Sequence, residues 1–247
     1  MCTVLIAFRA TPGALLAVSA NRNEFLEREA RGPELEPGSP RVWAPRDLKA
    51  GGTWLGMNER GLFVCITNRR HATVDAGRRS RGELAHEALR AESALEMQRS
   101  LAALPGDRYN GFHRTYADRR AAFVTIGDGE RIDQRELTEG LHLITERSFG
   151  AGEGVREREC RAAFEALFAR GVEPTLDDLR TPLQAHGPKD EPLESACVHA
   201  EIFGYGTRSS LQLLLPREGK VTGLWTEGRP CTQPAREVSA ELQQLLG

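Results

Sequence analysis

Cys2 stands directly behind Met1 in "MCTVLIAFRA", and this position opens a chemistry that the chain's other cysteines lack. Removal of Met1, which a small second residue permits, leaves a thiol and a free α-amine on one residue. A thiol has a reference pKa of about 8.5 and an α-amine one of about 7.7 to 8.0. At neutral pH part of that amine is neutral and can accept the thiol proton, directly or through a water, with no separate histidine. The competing reading is a buried strand cysteine that only packs.

Three further polar clusters stand where strands are expected to end: Asn21 to Glu24 ("NRNE"), Thr67-Asn68-Arg69, and "YGTRSS", which contains Arg208. A buried Arg22 beside Cys2 favours the thiolate. Asn68 reads equally as a turn residue closing a strand. Gly51-Gly52-Thr53-Trp54 suits a pocket rim but lacks the helix that a phosphate loop needs. Trp54 and Trp43 fit core anchors as well as ligand platforms. Ser209 and Ser210 lack a nucleophile-elbow pattern.

Cys65, Cys160, Cys197 and Cys231 never form CxxC. They therefore give neither a zinc motif nor a disulfide framework. His71, His86, His113, His186 and His199 are scattered without metal-ligand spacing, and His142 reads as a strand residue. The expectation is that no metal is bound and no cofactor is required.

The elements that must position these residues follow from periodicity. "CTVLIAF" and "ALLAVSA" read as two strands reversed by "RATPG", with "NRNE" directly after the second. Residues 28–52, rich in Pro, Gly and charge, read as a long surface loop. "TWLGMN" and "GLFVCITN" form a hairpin across "ERG". Residues 81–104 carry Leu84, Ala88, Leu95 and Leu101 near helical spacing, with Pro105-Gly106 as the stop. Strands return in "RRAAFVTIGDGERIDQRELTEGLHLIT". A helical block spans 156–171, and in "TLDDLRTPLQAH" Thr175 caps a helix with Asp178 reaching back. "SACVHAEIFGYGTRSSLQLLLP", "KVTGLWTEG" and a helix near "AREVSAELQQLL" close the chain. Strands in hairpins separated by helical blocks predict an α+β layered domain, one domain over 1–247.

Composition narrows the function. With 28% charged and 40% hydrophobic residues and a formal net charge of -2, the chain is of the soluble globular type, and nothing in its charge balance attracts nucleic acid. "NRRH" and "AGRRSRGE" read as solvated loop charge. No apolar run approaches the ~20 residues of a membrane helix. The N-terminus lacks a signal pattern, and cysteine usage fits a reducing compartment, so a cytoplasmic protein without membrane insertion is expected.

Cys at position two, "NRNE", "AGGTWLGMNERG", "CITNRR" and "GYGTRSS" together, in this order over nearly the whole chain, resemble the NRDE family, also called the transport and Golgi organization 2 family. The resemblance implies a relative of the N-terminal-nucleophile hydrolases, a four-layer αββα sandwich with two mainly antiparallel sheets between helix layers. It implies Cys2 as nucleophile, Arg22 and Asn23 flanking it, Asn68 donating to the oxyanion and Arg208 supporting the site, with Asn21, Glu24, Trp54 and Arg69 as ligand contacts. The substrate would be a small acyl-bearing molecule cleaved at an amide or thioester. The family association with haem handling and lipid or acyl-CoA metabolism supports an alternative, a non-catalytic binding protein with Cys2 as a haem ligand. One departure stands out: the family reads Asn-Arg-Asp-Glu where this chain has Asn23, which accepts a hydrogen bond but brings no charge. A looser one places Glu146 where the hydrolases offer an Asn.

Overall fold

The computed structural model describes residues 2–70, 74–100 and 104–247. The chain divides into two compact units, the first of residues 1–27 and 139–243, the second of 28–138 and 244–247.

The first unit is built on a seven-stranded antiparallel sheet. Its strands are β1 (Cys2–Phe8), β2 (Ala14–Phe25), β10 (Gly140–Thr145), β11 (His199–Ala200), β12 (Tyr205–Pro216), β13 (Thr222–Glu227) and β14 (Arg236–Glu237). They run in the order β10-β1-β2-β12-β13-β14, with β11 added on β12. Residues of both parities in β1 are buried, which is why its sequence is continuously apolar rather than alternating. Leu5, Ala7 and Leu143 pack against Phe164 and Leu167 of α3 (Val155–Phe168) and Leu179 of α4 (Leu176–Arg180). The Thr175 cap forms as expected: Thr175 N–H donates to Asp178 Oδ2 at 2.9 Å and Asp178 N–H to Thr175 Oγ1 at 3.1 Å. The C-terminal helix α5 spans Ser239–Leu246.

The second unit carries the other seven-stranded antiparallel sheet, in plain sequence order from β3 to β9. Its strands are β3 (Ala30–Glu36), β4 (Val42–Asp47), β5 (Leu55–Asn58), β6 (Phe63–Asn68), β7 (Phe112–Ala117), β8 (Ala122–Gly127) and β9 (Ile132–Glu136). Two helices, α1 (Arg81–Ala88) and α2 (Ala94–Ser100), bring Leu84, Leu89 and Met97 into one core with Phe112, Tyr116 and Phe123.

The α+β class with two antiparallel sheets is as expected. Three local readings are corrected. Residues 28–52 are not one loop, because β3 and β4 form within them. β3 is an edge strand, and Pro33 and Pro45 both lie where the β3–β4 register shifts between Arg31 and Glu34, a position that tolerates a missing N–H. The helix expected over 81–104 is broken: Asn58 Nδ2 donates to the carbonyls of Leu89 (3.0 Å) and Ala91 (2.8 Å), and Asp118 Oδ2 accepts the Ala94 N–H. These side chains end one helix and start the next. Leu101 lies outside the described residues. "NRNE" does not follow β2 but lies within it, and β7 was not foreseen. Among the described residues no helix is long and apolar enough to cross a membrane.

Candidate functional site

Cys2 opens β1, half-buried, with Arg22 as its cross-strand partner on β2. Directly paired residues project to the same face, so the guanidinium of Arg22 (6% exposed) belongs to the thiol's side of the sheet. On the other flank, Thr3 pairs with Thr145, the last residue of β10. Glu146 therefore follows at the level of Cys2. It is buried, and Arg156 Nη2 donates to both its oxygens at 2.6 and 2.7 Å and to Glu157 Oε1 at 2.6 Å. Arg147, paired with Glu194, extends this ion network. Burial opposes ionisation of Glu157, but the Arg156 charge and hydrogen bonds outweigh it, so its carboxyl lies below the usual range.

Tyr205, which sequence reasoning missed, completes the cluster. Its hydroxyl donates to the Asn23 carbonyl at 2.5 Å. Burial pushes its phenol upward, and its proximity to Cys2, Glu24 and Glu146 pushes the same way. Those groups are therefore within electrostatic reach of it. Only its place in "GYGTRSS" signalled the residue.

Strand alternation separates the rest of "NRNE". Asn21 and Asn23 lie on the face of β2 opposite Arg22. Asn21 Nδ2 donates to the carbonyls of Leu183 (2.8 Å) and Ala196 (2.9 Å), holding the chain that crosses that face. Asn23 Oδ1 accepts from Thr207 Oγ1 at 2.7 Å, and Thr207 Oγ1 in turn accepts the Val198 N–H at 2.8 Å. Glu24 is half-buried, its Oε1 on the Phe25 N–H. Arg208 is the bulged residue of β12, where pairing jumps from Thr207↔Asn23 to Ser209↔Arg22. Its Nη1 donates to Leu26 O at 2.8 Å, and it lines a cavity of about 350 Å³ with Glu227, Arg229 and Gln233. Cys2 is not in that lining.

The remaining predicted residues belong to the second unit. Asn68 ends β6, exposed and paired with Phe112, and Arg69 donates its N–H to Gly111 O. Trp54 packs on the second unit's core. A Cβ on Gly52 would lie 2.2 Å from the Gly82 carbonyl carbon, so "GGTW" secures close packing of the chain on α1. His71 lies outside the described residues.

The cysteines divide by environment. Burial pushes the Cys160 thiol up to about 12. Cys197, raised to about 12 by burial and the adjacent Cys231, comes together with Cys231, His186 and His199, their ligand atoms all within 4.8 Å of one another. Sequence spacing hid this meeting, because the four residues come from three segments of the chain; "CVH", two ligands two residues apart, was its only trace.

The two antiparallel sheets with flanking helices resemble the fold of solved N-terminal-nucleophile hydrolases. A mutant conjugated bile acid hydrolase from Clostridium perfringens matches with a TM-score of 0.61 at 11% identity, covering all of this chain and 94% of that one. The Caenorhabditis elegans ortholog of N-acylethanolamine-hydrolyzing acid amidase matches at 0.57 and 10%, covering 98% and 97%. The family described as Transport and Golgi organisation 2 matches residues 1–226, and the chain belongs to this family. The Transport and Golgi organization protein 2 homologs of Bos taurus and Homo sapiens are 28% and 26% identical, each alignment covering 90% of this chain and 91% of the relative.

Proposed function

We propose that the protein is a hydrolase in which Cys2 is the nucleophile, cleaving an amide or thioester bond of a small acyl-bearing molecule. The carrying observation is the Cys2–Arg22 pair at the head of β1, beside Tyr205. With Met1 removed, the α-amine of Cys2 takes the thiol proton as Sγ attacks the acyl carbon, and returns it to the leaving amine or thiol. Water then attacks the acyl-enzyme, releasing the acid and restoring the thiol. Arg22 favours the thiolate, and Arg208 keeps the role the resemblance implies. Phe25 (53% exposed) stacks edge-on against Tyr205 at 5.3 Å, and Ile202 and Phe203 (85% and 57%) stand just before it. So much exposed apolar surface near one end of the cluster supports an acyl group as the bound portion.

The test combines intact mass with acyl-amide and acyl-thioester substrates. The expected result is a chain lacking Met1, an acyl adduct on Cys2 and no turnover in Cys2→Ala. Retention of Met1, or turnover surviving in Cys2→Ala, overturns the proposal. One observation favours a second reading, a haem- or acyl-CoA-binding trafficking protein: Asn23, uncharged, already gives its oxygen to Thr207. That reading expects a Soret band on adding haem that Cys2→Ala abolishes, and unchanged spectra reject it.

A further inference from the structure

Far along the chain from Cys2, two sulfurs and two imidazoles converge. Cys197 Sγ lies 3.2 Å from Cys231 Sγ and 3.8 Å from His199 Nε2, and His199 Nε2 lies 3.1 Å from Cys231 Sγ. The His186 ring meets the His199 ring edge-on, centroids 4.8 Å apart. We propose that His186, Cys197, His199 and Cys231 form a tetrahedral zinc site.

The distances suit one ion. Bonds of about 2.3 Å to sulfur and about 2.0–2.1 Å to nitrogen separate tetrahedral ligand atoms by roughly 3.3–3.8 Å. The His199 nitrogen lies within about half an ångström of that range from both sulfurs, the two sulfurs stand about half an ångström closer than two zinc-bound thiolates, and all four ligand atoms lie within 4.8 Å of one another. Two thiolates balance the divalent charge, and the sulfur–imidazole set selects zinc over the oxygen-loving calcium and magnesium.

Each ligand is delivered by ordered structure. Cys197 lies in the bend just before β11 and His199 opens that strand, so both are set by the same short stretch of chain. The Cys197 N–H donates to Ala185 O at 3.0 Å, drawing His186 alongside. Cys231 sits in a turn closed by Gln233 N–H on Arg229 O at 2.8 Å. That turn is tied down in turn, since Arg180 Nη2 and Gln184 Nε2 each donate to Pro230 O at 2.8 Å. A disulfide would use the sulfurs alone and would leave the convergence of two imidazoles without a reason.

The ion's place gives it a structural role. Val198, between two ligands, donates through Thr207 Oγ1 into the Asn23 contact. Zinc thus braces β11 and β12 against β2, independently of whether Cys2 hydrolyses anything.

The test is elemental analysis of the full chain, purified without a histidine tag, together with His199→Ala, Cys231→Ser and Cys2→Ala. About one zinc per chain is expected in the wild type and in Cys2→Ala, with the metal lost from the two ligand variants. Cobalt exchange is expected to give the visible bands of a tetrahedral site with a sulfur charge-transfer band. Chelation is expected to lower the wild-type Tm but not that of His199→Ala. Should a ligand variant fail to fold, the exposed His186→Ala serves in its place. A wild-type chain that takes up no zinc, ligand variants that keep it, or a Cys197–Cys231 disulfide in a non-reduced peptide map overturns the proposal.

Discussion

The two units use the same sheet architecture for different ends. In the second, the sheet buries aromatic and aliphatic side chains against α1 and α2 along with Thr67, His113, Thr115, Thr125 and Arg114, whose guanidinium, drawn down to about 10 by burial, donates to the Leu84 carbonyl. In the first, β1, β2 and β12 bury Thr3, Asn21, Arg22, Asn23 and Thr207, and an ion network lies beside them. Buried polar groups weaken a fold unless each finds a partner. What sets the first unit apart is that its buried polar groups stand beside a half-buried thiol and an ion network. Under the proposed function, the nucleophile therefore belongs to the first unit.

The sharpest way to break that assignment sets one substitution in each unit against the other. Cys2→Ala is expected to reduce acyl-transfer activity by roughly 10³-fold or more while leaving Tm almost unchanged, since the residue is half-buried. Phe112→Ala removes a ring that is fully buried and fits closely over Gly127, where a Cβ would lie 2.5 Å from it. It is expected to cost about 3–5 kcal/mol by chemical denaturation, with activity per folded molecule retained. Equal losses of stability in both variants would erase the distinction.

How much of this could be read from sequence follows the same division. The paired strands β1 and β2, the hairpin β5–β6, α3 and the Thr175 cap were legible because local signals agreed with tertiary structure. The ordered motifs along the chain pointed to the family. What escaped depends on long-range contacts: Asn58 and Asp118 splitting a periodic helix, an edge strand that tolerates prolines, and the face of β2 on which Asn23 falls. Tyr205 and the four-ligand cluster escaped for the same reason, since each is assembled by turns far apart in the chain.

A smaller effect tests the scaffold beneath the first unit. Thr175→Ala removes the hydroxyl that receives the Asp178 N–H at the start of α4, and is expected to cost about 1 kcal/mol without altering activity. A loss of activity per folded molecule would show that α4 does more than cover the sheet.

The smallest effect is a difference in acid sensitivity between the units. Glu157 resists burial through Arg156 and is held below its ordinary value of 4.5, while in the second unit Asp47 resists burial through Arg28 and is held below 3.8. Both folded values are depressed, so each contribution is complete above the unfolded value and is lost as pH falls through the folded one. In urea titrations at a series of pH values, stability is therefore expected to be flat with respect to these groups near neutrality. It should begin to fall just below pH 4.5 through the first unit, with the Asp47 contribution lost only below 3.8. Glu157→Gln is expected to remove the earlier portion of that decline and Asp47→Asn the later one. If Glu157→Gln leaves the whole acid limb in place, the charge beside Cys2 is not carried by this network, and the first unit's polar burial needs another cause.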